Sequence, residues 1–156
     1  MRFMPMALPA VVLLMMSSNL LAGCGQLAVD TSRGTVRDTA SELSWSRCLF
    51  GQVSSRCLGD GADLSWVEAS SKACALELGG VSNWRLPKIE ELTKLYAIGP
   101  VCLIAAFPGI GGSVAWSASA NLDYATDARA FDFAEGVAVV YPRDSKLQVL
   151  LVASPK

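Results

Sequence analysis

Histidine is absent from the whole sequence of 156 residues. Its imidazole is the commonest general base and metal ligand near neutral pH, so the Ser–His and Cys–His pairs of nucleophilic enzymes are excluded. The sequence also lacks a Cys-x-x-Cys pair, which leaves a zinc site with little support. The carboxylates Glu90 and Glu91 are adjacent and would point apart on a helix, which makes them a poor acid–base couple. We therefore expect no catalytic residue, no metal ligand and no cofactor.

Runs of basic residues are absent as well. The chain has 13 Lys and Arg against 14 Asp and Glu, a net charge of −1, and its basic residues are scattered. Proteins that bind nucleic acid concentrate positive charge on one face or along one helix. We therefore expect no nucleic-acid partner. The hydrophobic share of 52% and the four Trp indicate instead a domain with a substantial core.

The first 29 residues carry a single charge, on Arg2. An apolar run over residues 4–14 leads to three polar residues at 17–19 and then to small residues. A positive start, a short apolar run and a small-residue cleavage site are the three parts of a secretory signal. A transmembrane span would need about 20 unbroken apolar residues, whereas two prolines and the polar residues interrupt this segment. The pattern predicts a signal peptide over residues 1–23.

The segment Leu21-Ala22-Gly23-Cys24 resembles the lipobox that the bacterial lipoprotein signal peptidase recognises. Its small residues suit a protease groove, and the Cys24 thiol is the nucleophile that takes a diacylglyceryl group. The alternative is an ordinary signal peptide with a chance cysteine. We predict a lipid on Cys24 that anchors the chain in a membrane of the bacterial cell envelope. By similarity to known sorting rules, Gly25 in place of Asp favours the outer membrane.

Four cysteines remain once Cys24 is assigned to the lipid. An even number in an exported chain indicates two disulfides, and four cysteines allow three pairings. Because Cys48 and Cys57 flank a short loop, we favour Cys48–Cys57 together with Cys74–Cys102.

The remaining pattern predicts an α+β domain with two helices and an antiparallel, partly irregular sheet. Residues 24–33 lack periodicity and are interpreted as a tether. A capping box of Ser65 and Glu68 begins the first helix, and Gly79-Gly80 is expected to stop it. The second helix is expected from Pro87 to Gly99-Pro100. Alternation predicts strands over residues 35–38, 43–46, 114–119, 129–133, 137–141 and 147–152.

Several motifs follow one another in the order found in one family. They include Gly34-Thr35-Val36-Arg37-Asp38, Leu43-Ser44-Trp45-Ser46, Trp84-Arg85-Leu86-Pro87, Trp116-Ser117, and Phe131-Asp132-Phe133 with Gly136. Over residues 34–152 the chain resembles the Lcl C-terminal domain family, which occurs on bacterial surface proteins and lipoproteins. The resemblance implies a C-type-lectin-like fold related to the sulfatase-modifying-factor architecture, and a role like that of the family's namesake, which binds sulfated glycans. The relatives with this architecture include the formylglycine-generating enzyme, which uses redox-active or copper-bound cysteines. We do not expect that activity here, because the cysteines of this chain are assigned to disulfides.

Each motif residue allows a structural and a ligand-binding interpretation. We expect Trp84, Trp116, Phe131 and Phe133 in the core and Arg85 paired with a carboxylate such as Asp132. Alternatively, Arg85 and Asp132 contact a sugar, since a carboxylate beside an aromatic ring accepts hydrogen bonds from hydroxyl groups.

The sequence as a whole predicts a non-catalytic, lipid-anchored envelope protein whose lectin-like domain binds an extracellular or envelope ligand, such as a glycan, in adhesion. A structural envelope component that binds another protein is the first alternative. A degenerate relative of an enzyme is the second.

Overall fold

The computed structural model describes residues 24–53 and 55–155, so the predicted signal peptide lies outside the described residues. This part of the chain has three helices and two antiparallel sheets, which confirms the α+β class but corrects the expected two helices and single sheet. The first sheet has the strand order β1-β2-β3-β7 and the second has the order β4-β5-β6. The elements are β1 (Leu27–Asp30), β2 (Thr35–Asp38), β3 (Ser44–Ser46), α1 (Trp66–Ala75), α2 (Ile89–Tyr96), α3 (Pro100–Ala106), β4 (Val114–Ala120), β5 (Asp127–Asp132), β6 (Val137–Pro142) and β7 (Val152–Ala153).

The predicted tether over residues 24–33 is wrong, because β1 lies inside it. This strand pairs with β2 from Leu27 opposite Asp38 to Asp30 opposite Thr35. In β1 only Leu27 is fully buried, so the four residues carry too little alternation for a pattern to be seen. The folded domain therefore starts within three residues of Cys24.

Helix α1 begins as predicted. The Ser65 hydroxyl accepts a hydrogen bond from the Glu68 N–H at 3.3 Å, and the Glu68 carboxylate accepts one from the Ser65 N–H at 2.7 Å. Lys146 donates to the same carboxylate and is the main reason why the pKa of Glu68 falls to about 2. The capping box thus connects the start of α1 to the segment that follows β6.

Gly79 and Gly80 do not stop α1, which already ends at Ala75. Both have positive φ, +63° and +79°, and they form a tight two-residue turn. On either side of that turn, Leu78 and Val81 exchange two backbone hydrogen bonds of 3.0 Å. The two glycines therefore form a hairpin-like turn, which is separated from the end of α1 by residues 76–78.

Like β1, helix α3 does not correspond to any element that the sequence pattern predicts. We took Gly99-Pro100 as the end of the second helix, yet Pro100 is the first residue of a new one. A proline suits this position because its fixed φ is helical and its missing N–H has no partner in the first turn. One side of the new helix packs Cys102, Leu103 and Ala106 into the core.

The core is divided by an extended segment, residues 147–153, of which only the last two residues form β7. Its side chains alternate between two clusters. Leu150 and Val152 pack with α2, α3 and the first sheet, while Val149, Leu151 and Ala153 pack with α1 and the second sheet. The segment's backbone bonds neighbours on both sides, including Ser46, Phe50, Arg85 and Trp116. The predicted strand over residues 147–152 is therefore mostly an irregular extended segment at the centre of the domain.

Two disulfides are present, one of them as predicted. Cys48 and Cys57 are bonded, but the partner of Cys102 is Cys24, and Cys74 is exposed and in no disulfide. The predicted Cys74–Cys102 pair is wrong because Cys74 lies on the outer side of α1, whereas Cys102 packs with the other core cluster, beside β1.

Candidate functional site

A hollow of about 520 Å³ opens between the first sheet and α2. We name it the Trp45 hollow. It brings together two carboxylates, an amide, a hydroxyl, an ammonium group and an indole ring. These groups come from two parts of the chain, residues 26–45 and residues 91–94. Its lining residues are Gln26, Asp38, Ala40, Ser41, Leu43, Trp45, Glu91 and Lys94.

Asp38 is the last residue of β2 and is buried, with 7% of its surface exposed. Its carboxylate accepts hydrogen bonds from the Gln26 amide at 2.8 Å, the Ala40 N–H at 3.0 Å and the Ser41 hydroxyl at 2.5 Å. Burial acts to raise the pKa of Asp38, but these bonds outweigh it and hold the pKa below its ordinary value. The site therefore contains a fixed negative charge at neutral pH.

Glu91, in the first turn of α2, is the second carboxylate. Arg85 donates one 2.8 Å hydrogen bond to each of its oxygens, and the Lys88 N–H donates another at 2.7 Å. Burial acts to raise the pKa of Glu91, but the bonds from Arg85 and Lys88 prevail and lower it. The same pair raises the pKa of Arg85. Arg85 thus pairs with a carboxylate as expected, but that carboxylate is Glu91 and not Asp132.

Trp45 is 1% exposed, and its indole N–H has no hydrogen-bond partner among the described residues. The other three indoles are bonded: Trp66 donates to the Ser117 carbonyl, Trp84 to that of Val81 and Trp116 to that of Leu64, at 2.8–3.0 Å. A buried donor without an acceptor costs about 1–3 kcal/mol. Among the tryptophans, the one that lines the hollow is therefore the one with an unused donor.

The proposed contact between a ligand and Asp132 has no support in the geometry. One Asp132 carboxylate oxygen accepts from the Ala134 and Glu135 N–H groups, at 2.8 and 3.1 Å, and so closes the turn between β5 and β6. Its neighbours Phe131 and Phe133 are 1% and 6% exposed, and they pack against each other with ring centres 5.0 Å apart. Neither ring presents a face to a sugar, and the structure does not bring Asp132 into one site with Arg85.

The other family-motif residues hold the fold together. Trp84 and Trp116 are buried as predicted, and the Ser117 hydroxyl donates to the Arg129 carbonyl at 2.7 Å. Of the remaining three, Leu86 and Pro87 are buried and Gly136 has a φ of +69°.

Cys24 has a different partner in the structure from the one the sequence predicts. Its sulfur is bonded to Cys102, in a chain that still carries residues 1–23. A sulfur in a disulfide has no free valence for a thioether, so the lipid and the disulfide exclude each other in any one molecule. Within residues 24–53 and 55–155, no helix has the length and apolar character needed to cross a membrane. In those same ranges no cluster of acidic and cysteine side chains is placed to hold a metal ion.

A family model described as the Lcl C-terminal domain matches residues 34–153, which span every element from β2 to β7. A search of curated proteins finds no match.

Proposed function

Because the chain belongs to the Lcl C-terminal domain family, we propose that it is a non-catalytic, lipid-anchored protein of the bacterial cell envelope that binds a hydroxyl-rich ligand such as a glycan. The observation that carries the proposal is the Trp45 hollow, which brings Asp38, Glu91 and Lys94 together around a buried tryptophan whose indole N–H has no partner among the described residues. An adhesion-type role would follow from such binding at the cell surface.

The composition of the hollow favours a neutral, hydroxyl-rich ligand. Hydroxyl groups both donate and accept hydrogen bonds. Asp38 can accept from them, while Lys94 can donate to them. Arg85 already compensates the charge of Glu91, and Asp38 opposes that of Lys94, so the hollow offers no excess positive charge for a sulfated or phosphorylated ligand. The proposal therefore departs from the sulfated glycans that the family resemblance implies.

A non-catalytic role agrees with the protonation of the same carboxylates. A general acid must hold a proton near the working pH. The hydrogen bonds on Asp38 and Glu91 lower both pKa values and so keep both groups ionised at neutral pH. Glu91 is also occupied by Arg85 and Lys88, which leaves it poorly placed as a base.

The anchor in this proposal is a thioether at Cys24. The thiol sulfur bonds the glyceryl carbon of a phospholipid's diacylglyceryl group, while the thiol proton and the phosphate-bearing headgroup leave. Mass spectrometry of the peptide that begins at Cys24, taken from the membrane fraction, tests this step. We expect the added mass of the lipid, and we expect Cys24→Ala to move the protein out of that fraction. An unmodified Cys24 in membrane-derived protein would overturn the anchor.

The ligand is tested with a glycan array and then by calorimetry with the best neutral sugar. Lys94→Glu adds a third negative charge to the hollow and should weaken binding at least tenfold. The matched control is Lys72→Glu, because Lys72 is likewise exposed in the last turn of its helix. Trp45→Phe keeps an aromatic ring, removes the N–H donor, and should also weaken binding.

Two results would contradict this site. Sugar binding that survives both Lys94→Glu and Trp45→Phe would place the ligand elsewhere on the domain. Equal weakening by Lys94→Glu and Lys72→Glu would indicate a general charge effect instead of a local contact.

A protein partner is the second candidate function, and the edge strand β6 favours it. Among the described residues this strand pairs only with β5, and its Val137 and Val140 are 49% and 47% exposed. An open apolar edge is a template for a strand from another chain. Val140→Lys should abolish binding of such a partner and leave sugar binding unchanged. A saturable sugar signal without any copurifying protein would favour the first candidate.

A further inference from the structure

We infer that the outer side of α3, together with Val29, is a membrane-contact surface on which the domain lies directly against the bilayer. We name these residues, Val29, Val101, Ile104 and Ala105, the α3 face. The inference rests on the lipid anchor of the proposed function and extends it from a point of attachment to a docking surface.

The α3 face is apolar and uncovered. Val101 and Ile104 are 57% and 56% exposed, and Ala105 is exposed beside them, at positions that share one side of a helix. The opposite side packs into the core, so α3 is apolar all round. A helix of that kind is normally covered on every side, by protein or by lipid.

Charged residues are absent from the two stretches of sequence that form this face. Residues 95–122, which include α3 and both of its connections, contain no Asp, Glu, Lys or Arg, and neither do residues 24–29. Placing this part of the surface at the boundary of the acyl chains therefore requires no desolvation of an ionised side chain.

Cys24 lies on this surface. The Cα atoms of Cys24 and Cys102 are 5.2 Å apart, about one helical turn. Cys24, Val29 and Ala105 also line the same shallow hollow of about 290 Å³. The predicted signal segment, residues 1–23, ends at this point, so a lipid on Cys24 enters the bilayer next to α3.

That placement does not depend on the Cys24–Cys102 disulfide. The Gln26 carbonyl accepts from the Thr39 N–H at 2.9 Å, and its side chain donates to Asp38 at 2.8 Å. These bonds fix Gln26 at the start of β1. Two residues span at most about 7 Å, so a lipidated Cys24 still lies beside α3.

Because no tether separates the domain from its anchor, the surface that covers the α3 face is the membrane. With β1 starting at Leu27, the anchored domain has no linker that would hold it away from the membrane. Apolar faces of interfacial proteins are buried about 5–10 Å into the boundary between headgroups and acyl chains. The α3 face, a few ångströms from the thioether, is within that depth.

The test uses the mature chain that begins at Cys24, purified from bacterial membranes in its lipidated form. It is reconstituted into vesicles of phosphatidylethanolamine and phosphatidylglycerol, with or without bromine on the acyl chains. Ile104→Trp places a fluorescent reporter on the α3 face, and Val101→Trp is a second reporter in case the first fails to fold. Val67→Trp is the control, on the 65% exposed Val67 of α1.

We expect brominated lipid to quench I104W or V101W by a larger fraction than the wild-type protein, and V67W by the same fraction as wild type. Lipid on Cys24 without extra quenching at either reporter would overturn the docking surface and leave the anchor intact. No lipid mass on Cys24 would overturn the anchor, and the docking surface with it.

Discussion

Arg85 and Glu91 are joined by two parallel hydrogen bonds of 2.8 Å, one from each terminal nitrogen of the guanidinium to each carboxylate oxygen. The Arg85 backbone exchanges two more bonds with Val152, in the central segment of the core. Through Glu91 the same residue holds the first turn of α2. Arg85 therefore couples the C-terminal segment to the helix that bounds the Trp45 hollow.

Arg85→Ala should lower the free energy of unfolding by about 1–3 kcal/mol, because it leaves a half-buried carboxylate without its charged partner. Arg37→Ala is the matched control. Arg37 and Glu42 are 3.5 Å apart with side chains 59% and 65% exposed, and such a pair contributes at most about 1 kcal/mol. Urea unfolding measures both variants. Equal losses would show that the Arg85–Glu91 pair is no more than a surface contact.

The stability of the domain should fall in acid, in part through Glu91. Its pKa in the folded state is below the ordinary value of 4.5, so its contribution is fully present above pH 4.5. That contribution is lost as the pH falls from 4.5 through the lower folded value. Glu91→Gln should flatten the dependence of unfolding free energy on pH in this range more than Glu90→Gln, a neighbouring exposed position. An identical slope in both variants would contradict the pairing.

The two disulfides should differ in their response to substitution. Replacing Cys48 and Cys57 by Ser opens a loop of nine residues and should cost about 2–3 kcal/mol. Cys74→Ser, at an exposed position outside any disulfide, should change stability by less than about 0.5 kcal/mol. Thermal unfolding, combined with quantification of free thiols, checks both expectations. A large loss from Cys74→Ser would contradict the observed pairing.

Cys102→Ser distinguishes the disulfide at Cys24 from the proposed lipid on the same sulfur. In molecules with the disulfide, the variant opens a loop of 78 residues and should cost about 4 kcal/mol. In lipidated molecules it removes only a buried thiol and should cost far less. Unfolding of the wild-type protein and the variant, both taken from the membrane fraction, should therefore give similar midpoints. A large difference would mean that the Cys24 sulfur in that fraction is bonded to Cys102.

Gly136 should tolerate alanine much less well than Gly80, although the two have similar φ angles of +69° and +79°. A Cβ at Gly136 would lie 2.4 Å from the Tyr96 ring, whereas one at Gly80 meets nothing within 4 Å. Gly80→Ala should cost about 1 kcal/mol for its left-handed backbone. Gly136→Ala should cost a further 1–3 kcal/mol, roughly, for overpacking. Equal costs would show that the ring moves aside freely.

Local signals in the sequence predicted much of the fold. The capping box of Ser65 and Glu68 lies within four residues, and both of its bonds are present. The strands predicted from alternation over residues 129–133 and 137–141 correspond to β5 and β6. In contrast, β1 is too short to alternate visibly, and Gly99-Pro100 marks both the end of one helix and the start of the next.

The candidate site could not be predicted in the same way. Asp38, Trp45 and Glu91 come from separate elements, and only the packing of α2 against the first sheet brings them together. Arg85 lies before α2 and six residues from Glu91, so the i,i+3 and i,i+4 spacings of a helix do not predict the pair. Asp132 looked available beside two aromatic residues because a sequence does not show that a carboxylate is used by its own turn.

The central position of residues 147–153 determines when the domain can fold. A ribosome synthesises this segment after every other element of the two sheets, and neither core cluster is complete without it. In the exported, lipid-anchored protein that we propose, the chain would therefore stay open until the segment has followed the rest across the membrane. During that interval Cys24 and Cys102 are not held together. In that proposal, an enzyme that modifies Cys24 during translocation would meet a free thiol before the folded domain brings Cys102 into contact with it.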